Sequence, residues 1–514
     1  MSKLNVEFMD EESGFRSKAE DTLEYEIHSI IKKRQSIDER MLNNEAFEQL
    51  SEWRHASLEW YSFPEDAVIL EIGAGMGALT GLLIEKAKSV VCIEIKKYRC
   101  EIIKDRFEKC NNLQVVNMNF AEYETQEKFD IIVLHDIWGY VKKYYKKDCA
   151  YIEVLKRLKT MLKAEGKLII FAENRLGIKY FSGAYEEYSG KFFTGLNSFD
   201  GYDYIKTFTQ NELVNIGNAA GFTRHKFYYP YPDCIFPTQI YTDESLRQMY
   251  YGGICAQVGI ARFKFFDEQR LLRSFQREGI VTKFANAFII ELCGEQGNVD
   301  EMNYYYLNPN FEKRMHQVIY GGRNGIRSDM YLMDIIDRVD NGMVKEKRPE
   351  IEKIYNFFKK CVILIRSKDD FIYSIRDIYV DNEEFYLYPG CKEANNKIKK
   401  FKDIYFITEW YEEYIYGRKS LEKLVPLKVI FDKCKIAKER ISEFREEYKK
   451  MLSDINSLAR HYGNQYYSNI IYPIDIYLNG DLITENIEEQ NLILKKTSTV
   501  LDENRLLTEL RSLE

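Results

Sequence analysis

At 514 residues and 45% hydrophobic content, the chain can supply two to four domains of about 150 residues each, with real cores. Its 74 basic against 81 acidic residues leave a net charge of −7, so no global field draws it to phosphate backbones, and a nucleic-acid acceptor would need a local basic patch. The ten cysteines include no C-x-x-C pair and no nearby histidine to complete a zinc quartet, MSKLNVEFMDEESGF lacks an apolar signal core, and no apolar run is long enough to span a membrane; these features exclude a disulfide framework, a structural metal and a membrane span, and predict a cytoplasmic chain with reduced thiols.

Residues 18–60 carry apolar positions at helical spacing up to Trp60 and Tyr61, before the break at Pro64, which predicts a helical prefix over 1–62. From Ala67 the pattern alternates: AVILEI, GALTGLLIEKA, SVVCIEI, KYRCEIIKDRFEKC, LQVVNM, DIIVLHD, YIEVLKRLKTMLKAEG, KLIIFAE. Strands alternating with amphipathic helices predict right-handed crossovers and a mostly parallel sheet with helices on both faces, its ligands held at the carboxyl ends of the strands. An irregular stretch over 174–206 interrupts the pattern and has the length of a lid or specificity element. A helix near 209–221 and a strand at HKFYYPYP follow, so one α/β domain is expected over 63–262 and an α+β domain over 263–514. In the latter, a charged helical pattern over 435–458 reads as a solvated face.

The phrase EIGAGMG places Gly73, Gly75 and Gly77 between a strand and a helix, where a chain without Cβ atoms can turn sharply against a ligand. Glu71 decides which ligand. The pyrophosphate of a dinucleotide would be repelled by this carboxylate, whereas the ammonium and sulfonium of S-adenosylmethionine are attracted to it. Glu94, ending the next strand, suits the ribose diol, and Asn119 suits the adenine edge; Ala74, Ile95 and Phe120 lie beside them. The phrase LHDIW over 134–138 ends a further strand at the mouth of the same crevice.

With these residues in place, 67–173 resembles the class I S-adenosylmethionine-dependent methyltransferases, which implies a Rossmann-like fold and that cofactor. Asn119 stands where many members carry Asp. AENRLGIKYFSGAYEEYSG and FYYPYPDCIFP resemble, more narrowly, a bacterial subgroup that accompanies cell-surface polysaccharide biosynthesis. That resemblance implies O-methylation of a glycan, nucleotide sugar or related small molecule, with no strong nucleic-acid signal.

His135 and Asp136 are the candidate bases, since methyl transfer mainly needs alignment and removal of a proton; the alternative is that His135 packs on the adenosine and Asp136 caps the next helix. Asn174, Arg175, Lys179 and Tyr180 open the insertion on the same rim and are candidate substrate contacts, with Arg175 and Lys179 able either to hold an anionic acceptor or to pair with Glu186 and Glu187. The tyrosines and three prolines of YYPYPDCIFP favour packing over sugar stacking. EIGAGMGALT also resembles the opening of the ribosomal RNA adenine dimethyltransferases, which keeps a nucleic-acid acceptor as an alternative; those enzymes carry an Asn-Leu-Pro-Tyr type phrase where this chain has His135-Asp136-Ile137-Trp138. A third reading is a methyltransferase-like scaffold whose C-terminal half carries the function. In that half, VTKFANAFIIEL and SIRDIYVDNEEFYLYPG lack the glycine-rich loop and His-Arg-Asp phrase of a kinase, which leaves a substrate-docking or oligomerising module.

Overall fold

The computed structural model describes residues 6–8, 18–33, 42–146, 149–186, 188–199, 204–248, 265–266, 268–299, 302–308, 315–320, 326–340, 342–368, 377–387, 399–415, 419–453, 474 and 478. Its strands are β1 (Val6–Phe8), β2 (Val68–Ile72), β3 (Ser89–Glu94), β4 (Leu113–Asn117), β5 (Phe129–Leu134), β6 (Leu162–Glu173), β7 (Arg224–Tyr231), β8 (Gln239–Thr242), β9 (Ala287–Cys293), β10 (Met302–Asn308) and β11 (Met315–Tyr320). They form one sheet in the order β1-β4-β3-β2-β5-β6-β9-β7-β8-β10-β11. From β1 to β6 the pairing is parallel.

The central strands are mostly apolar and buried along most of their length because both faces are covered, as parallel sheets require. One core holds Leu70, Ile132, Leu134, Leu155 and Leu158 on the side of the helices Ala150–Met161 and Gln210–Ala219. The other holds Ile69, Val90, Ile131, Leu82 and Ile103 on the side of α3 (Thr80–Lys86) and α4 (Lys97–Arg106). A Rossmann-like domain with a mostly parallel sheet is therefore present as read from the sequence.

Its extent differs. The expected boundary at 262 falls inside the sheet, because β9 inserts antiparallel between β6 and β7, with Ile170 opposite Ile290 and Phe227 opposite the same residue. VTKFANAFIIEL, assigned to the second domain, is thus a central strand of the first. An inserted antiparallel strand arrives late in sequence, after the alternating pattern has ended, so periodicity gave no reason to attach it. A separate core, including Ile336, Phe358, Trp410, Phe431 and Phe444, begins near residue 326. It is mainly helical, with a small antiparallel sheet of β12 (Ile326–Arg327), β13 (Ile378–Asp381) and β14 (Glu384–Leu387), the last two formed by the SIRDIYVDNEEFYLYPG phrase.

The charged pattern near 435–458 forms a helix over Lys438–Ser453, and Ile441, Phe444 and Tyr448 on it are fully buried. That correction follows from spacing: three apolar side chains at i, i+3 and i+7 make one stripe among the charges.

The prefix also differs from a simple helical lid. It consists of β1 at the sheet edge, α1 (Lys18–Lys32), α2 (Asn44–Leu50) and a 3-10 turn over Glu52–Ser57. Asn43 caps α2 by accepting from the Ala46 amide, and Ser51 caps the turn by accepting from the Trp53 amide. Glu24 on α1 accepts from Arg99 Nε at 2.6 Å and Lys96 Nζ at 3.3 Å, while His28 contacts Asp105 at 2.8 Å and the Tyr98 hydroxyl at 2.9 Å. These bonds lay the prefix along α4, at the carboxyl edge of the strands.

Candidate active site

The carboxyl ends of β2, β3, β4 and β5 surround a cavity of about 580 Å³, bounded by the glycine turn, Glu94, Asn119, His135 and the prefix residues Gln49 and Arg54. Gly73, Gly75 and Gly77 all have positive φ, at 79°, 57° and 85°. A Cβ at Gly75 would face the cavity, with only Gln49 Oε1 within 4 Å. Gly77, expected on the cofactor, does not line this cavity, and a Cβ there would meet the Phe107 ring at 2.8 Å. Its lack of a side chain lets α4 close on the turn.

Glu71 is 1% exposed and accepts from the Thr80 hydroxyl at 2.7 Å. Desolvation by burial lifts its pKa to about 7, against the lowering by Thr80. Glu94 is buried and accepts from the Gly75 amide and the Lys96 amide, each at 3.0 Å, so it braces the glycine turn; burial raises its pKa despite these donors and the nearby Arg99. Each carboxylate oxygen keeps a lone pair for a diol. Ile95 is 38% exposed beside it and can cover a flat ring. Asn119 closes an Asx turn, accepting from the Ala121 amide at 3.1 Å and donating to the Tyr144 carbonyl at 3.3 Å, while Phe120 packs edge-on to Tyr144.

His135 is 5% exposed, its ring 4.3 Å from that of Phe171. Asp136 has φ 57° and does not cap the helical turn that follows, which begins at Ile137 without a side-chain cap. Its half-exposed carboxylate instead lies 2.8 Å from Arg54 Nη2 and 2.9 Å from His135 Nδ1. Desolvation opposes ionisation, but His135 and Arg54 together hold Asp136 well below the ordinary carboxylate range. His135 Nδ1 thus lies between this carboxylate and Arg54 Nη2, 3.2 Å away, while Nε2 is buried and has no hydrogen-bond partner among the described residues. Burial lowers the His135 pKa, outweighing Asp136.

The four candidate substrate contacts do not reach the cavity. Asn174 donates to the Lys283 and Ala285 carbonyls, and the Lys179 amide donates to Asn286 Oδ1. The Lys179 ammonium, fully buried, pairs with Glu173 at 2.6 Å, and Tyr180 is buried beside it. Arg175 pairs with Glu212 at 2.8 Å rather than with Glu186. The ENRLGIKYF phrase therefore fastens the end of β6 to the segment leading into β9; a long specific phrase marked a structural lock. The insertion nonetheless touches the rim, where Tyr188 packs edge-on against Tyr140.

Sequence reading missed Arg54 and Gln49, which sit in a prefix with no motif, and the rim residues Tyr140, Lys143 and Tyr144. It also missed the support beneath Arg54, although the residues were quoted: Phe236 of YYPYPDCIFP lies 5.9 Å under the guanidinium and packs on Phe47.

A glycine turn with an acid before it and a second acid ending the next strand, on this sheet order, defines a class I S-adenosylmethionine-dependent methyltransferase domain, and the residues present fit that cofactor. Residues 34–172 match the model of the ribosomal RNA adenine dimethylase family. Curated relatives include ribosomal RNA small subunit methyltransferase A of Mesomycoplasma hyopneumoniae (strain 232), 48% identical over 66 residues, 12% of this chain and 25% of the relative. A probable enzyme of the same name from Methanosarcina barkeri is 41% identical over 70 residues, 14% of this chain and 24% of the relative. The chain thus spans about a quarter of the length of these relatives. Among solved structures, a TehB-like SAM-dependent methyltransferase from Corynebacterium glutamicum aligns over 53% of this chain and 99% of its own, at 9% identity and a TM-score of 0.29.

These matches overturn the expectation of a small-molecule or glycan acceptor without a nucleic-acid signal, since the relatives are named for ribosomal RNA. The resemblance to a polysaccharide-associated subgroup gains no support from them. Among the described residues, no helix is long and apolar enough to cross a membrane.

Proposed function

We propose that this chain transfers a methyl group from S-adenosylmethionine to an RNA acceptor. The observation that carries the reading is the match of 34–172 to the ribosomal RNA adenine dimethylase model, because that span supplies Gln49, Arg54 and every strand end around the cavity. The rim agrees with it: Tyr140 and Tyr144 offer flat rings for a base, and Lys142 and Lys143 stand exposed beside them for phosphates. This is the local basic patch that an acidic chain needs.

The cofactor supplies an activated methyl group, and the protein's part is alignment and proton removal. His135 Nε2 accepts the acceptor's proton, the Asp136 carboxylate beside Nδ1 stabilises the imidazolium that results, and burial at the end of β5 keeps water from the ring. His135-Asp136-Ile137-Trp138 replaces the Asn-Leu-Pro-Tyr type phrase, so the proposal is methylation of RNA and does not extend to adenine dimethylation.

The test is transfer of labelled methyl from S-adenosylmethionine to ribosomal RNA, to ribosomal subunits and to non-RNA fractions of the same extract. Incorporation that survives protease and is lost to ribonuclease is the expected outcome. Label found only in ribonuclease-resistant material would overturn the RNA reading while leaving the methyl-donor reading in place.

A further inference from the structure

Arg54 is 2% exposed, yet its Nε and Nη1 groups are buried and have no hydrogen-bond partner among the described residues. Only Nη2 is engaged, donating to Asp136 at 2.8 Å and lying 3.2 Å from His135 Nδ1. Buried guanidinium donors left unpaired are costly, and a protein retains them where a ligand completes the set. The side chain lines the cavity, with Phe236 beneath it. Its position identifies the ligand group. Ile72 pairs with Leu134, so the glycine turn and His135 leave adjacent strands side by side, and a Cβ on Gly73 would lie 3.4 Å from the His135 carbonyl. Arg54 at His135 and Glu71 before Gly73 therefore serve one corner of the cavity, the first offering positive charge and the second negative.

We propose that Arg54 is the receptor for the carboxylate at the methionyl end of the cofactor, so that Glu71 and Arg54 together read an amino-acid zwitterion. The inference rests on the cofactor reading above. A single α-carbon carries both the ammonium and the carboxylate, and this corner presents both counter-charges. Because Arg54 belongs to the prefix, the cofactor itself ties the prefix to the Rossmann domain.

Calorimetric titration of the full chain with S-adenosylhomocysteine and with its decarboxylated analogue tests this. The unaltered chain should bind the former roughly ten- to hundredfold more tightly, the loss of charge-assisted hydrogen bonds. Arg54→Met should erase the difference and Arg54→Lys should keep part of it, with circular dichroism confirming the fold. The comparison in the unaltered chain stands even where a variant fails to fold. Equal affinity for the two ligands in the unaltered chain, or an equal loss for both in Arg54→Met, would overturn the inference while binding itself upholds the cofactor reading. No binding of S-adenosylhomocysteine would overturn both. A preserved difference in Arg54→Met, together with lost affinity for a short RNA oligonucleotide, would assign Arg54 to an acceptor phosphate and overturn the proposal.

Discussion

Glu71, proposed as the partner of the cofactor's ammonium, has its pKa lifted to about 7 by burial, so near neutrality its carboxyl is partly protonated. In the folded chain this acid binds its proton more tightly than at its ordinary 4.5, so its contribution to stability is full below about 4.5 and is lost as pH rises towards about 7. A bound ammonium favours the ionised form. Cofactor binding should therefore release a proton, and affinity should fall towards tenfold per pH unit below about 7, then decline again above about 8 as the α-amino group deprotonates. Titrations of S-adenosylhomocysteine in buffers of differing ionisation enthalpy measure both effects; a flat profile would remove Glu71 from the ammonium. The two glycines should separate cleanly. Gly75→Val fills cavity space and should abolish cofactor binding, with about 1–2 kcal/mol lost to its positive φ. Gly77→Val drives a side chain into Phe107 and should lower the melting temperature by several degrees more. His135→Asn should reduce turnover by about 10²–10⁴ with cofactor affinity nearly kept, and the parent enzyme's turnover should fall as pH drops below the ordinary histidine range, since burial lowers that pKa.

Among elements, β9 carries the largest consequence for any dissection of the chain. It supplies the hydrogen-bonding partner of both β6 and β7 and buries Phe288, Ile290 and Leu292. Glu291 on it also accepts from the Tyr61 hydroxyl at 2.6 Å, joining the last inserted strand to the prefix. A chain ending at residue 262 should expose two strand edges and an apolar face, and should aggregate, whereas one ending at 320 should stay soluble and bind S-adenosylhomocysteine. Size-exclusion chromatography and calorimetry on the two chains check this. A soluble, binding-competent 1–262 would mean that β6 and β7 can pair without β9. The lock at the end of β6 belongs to the same scale: Asn174, Lys179 and Asn286 hold the entry to β9 through backbone and buried-charge bonds.

In the whole molecule, two cores meet through charge. Arg273, on the helix Glu268–Arg277 that packs with the Rossmann domain, pairs with Asp334 and, at 3.1 Å, with Asp337 on the helix Ser328–Asp340 of the second core. Arg277 adds to the same pair. Interfaces carried by ion pairs loosen with salt and with loss of one partner. Arg273→Ala should split thermal unfolding into two transitions, the C-terminal unit melting apart from the cofactor-stabilised domain, and only the latter should shift when S-adenosylhomocysteine is added. Differential scanning calorimetry reads this; a single transition that shifts as one would show that packing, not charge, couples the units.

The sequence by itself determined the Rossmann-like domain, its parallel strands and the cofactor class. These depend on local signals: apolar runs of strand length, a glycine turn whose backbone only glycine adopts easily, and Glu71 and Glu94 at fixed distances from it. His135 and Asp136 were legible for the same reason, since any residue ending β5 must face the crevice. Only the tertiary structure decided the rest. Arg54 reaches the site from a prefix folded across the sheet, β9 returns from beyond a long excursion to pair inside it, and Lys179 turns inward to Glu173 instead of outward to a ligand. Each of these depends on which partner a side chain or strand finds across a long loop, and the energies that settle it, burial of apolar area and pairing of buried charge, exist only once the distant segments have met.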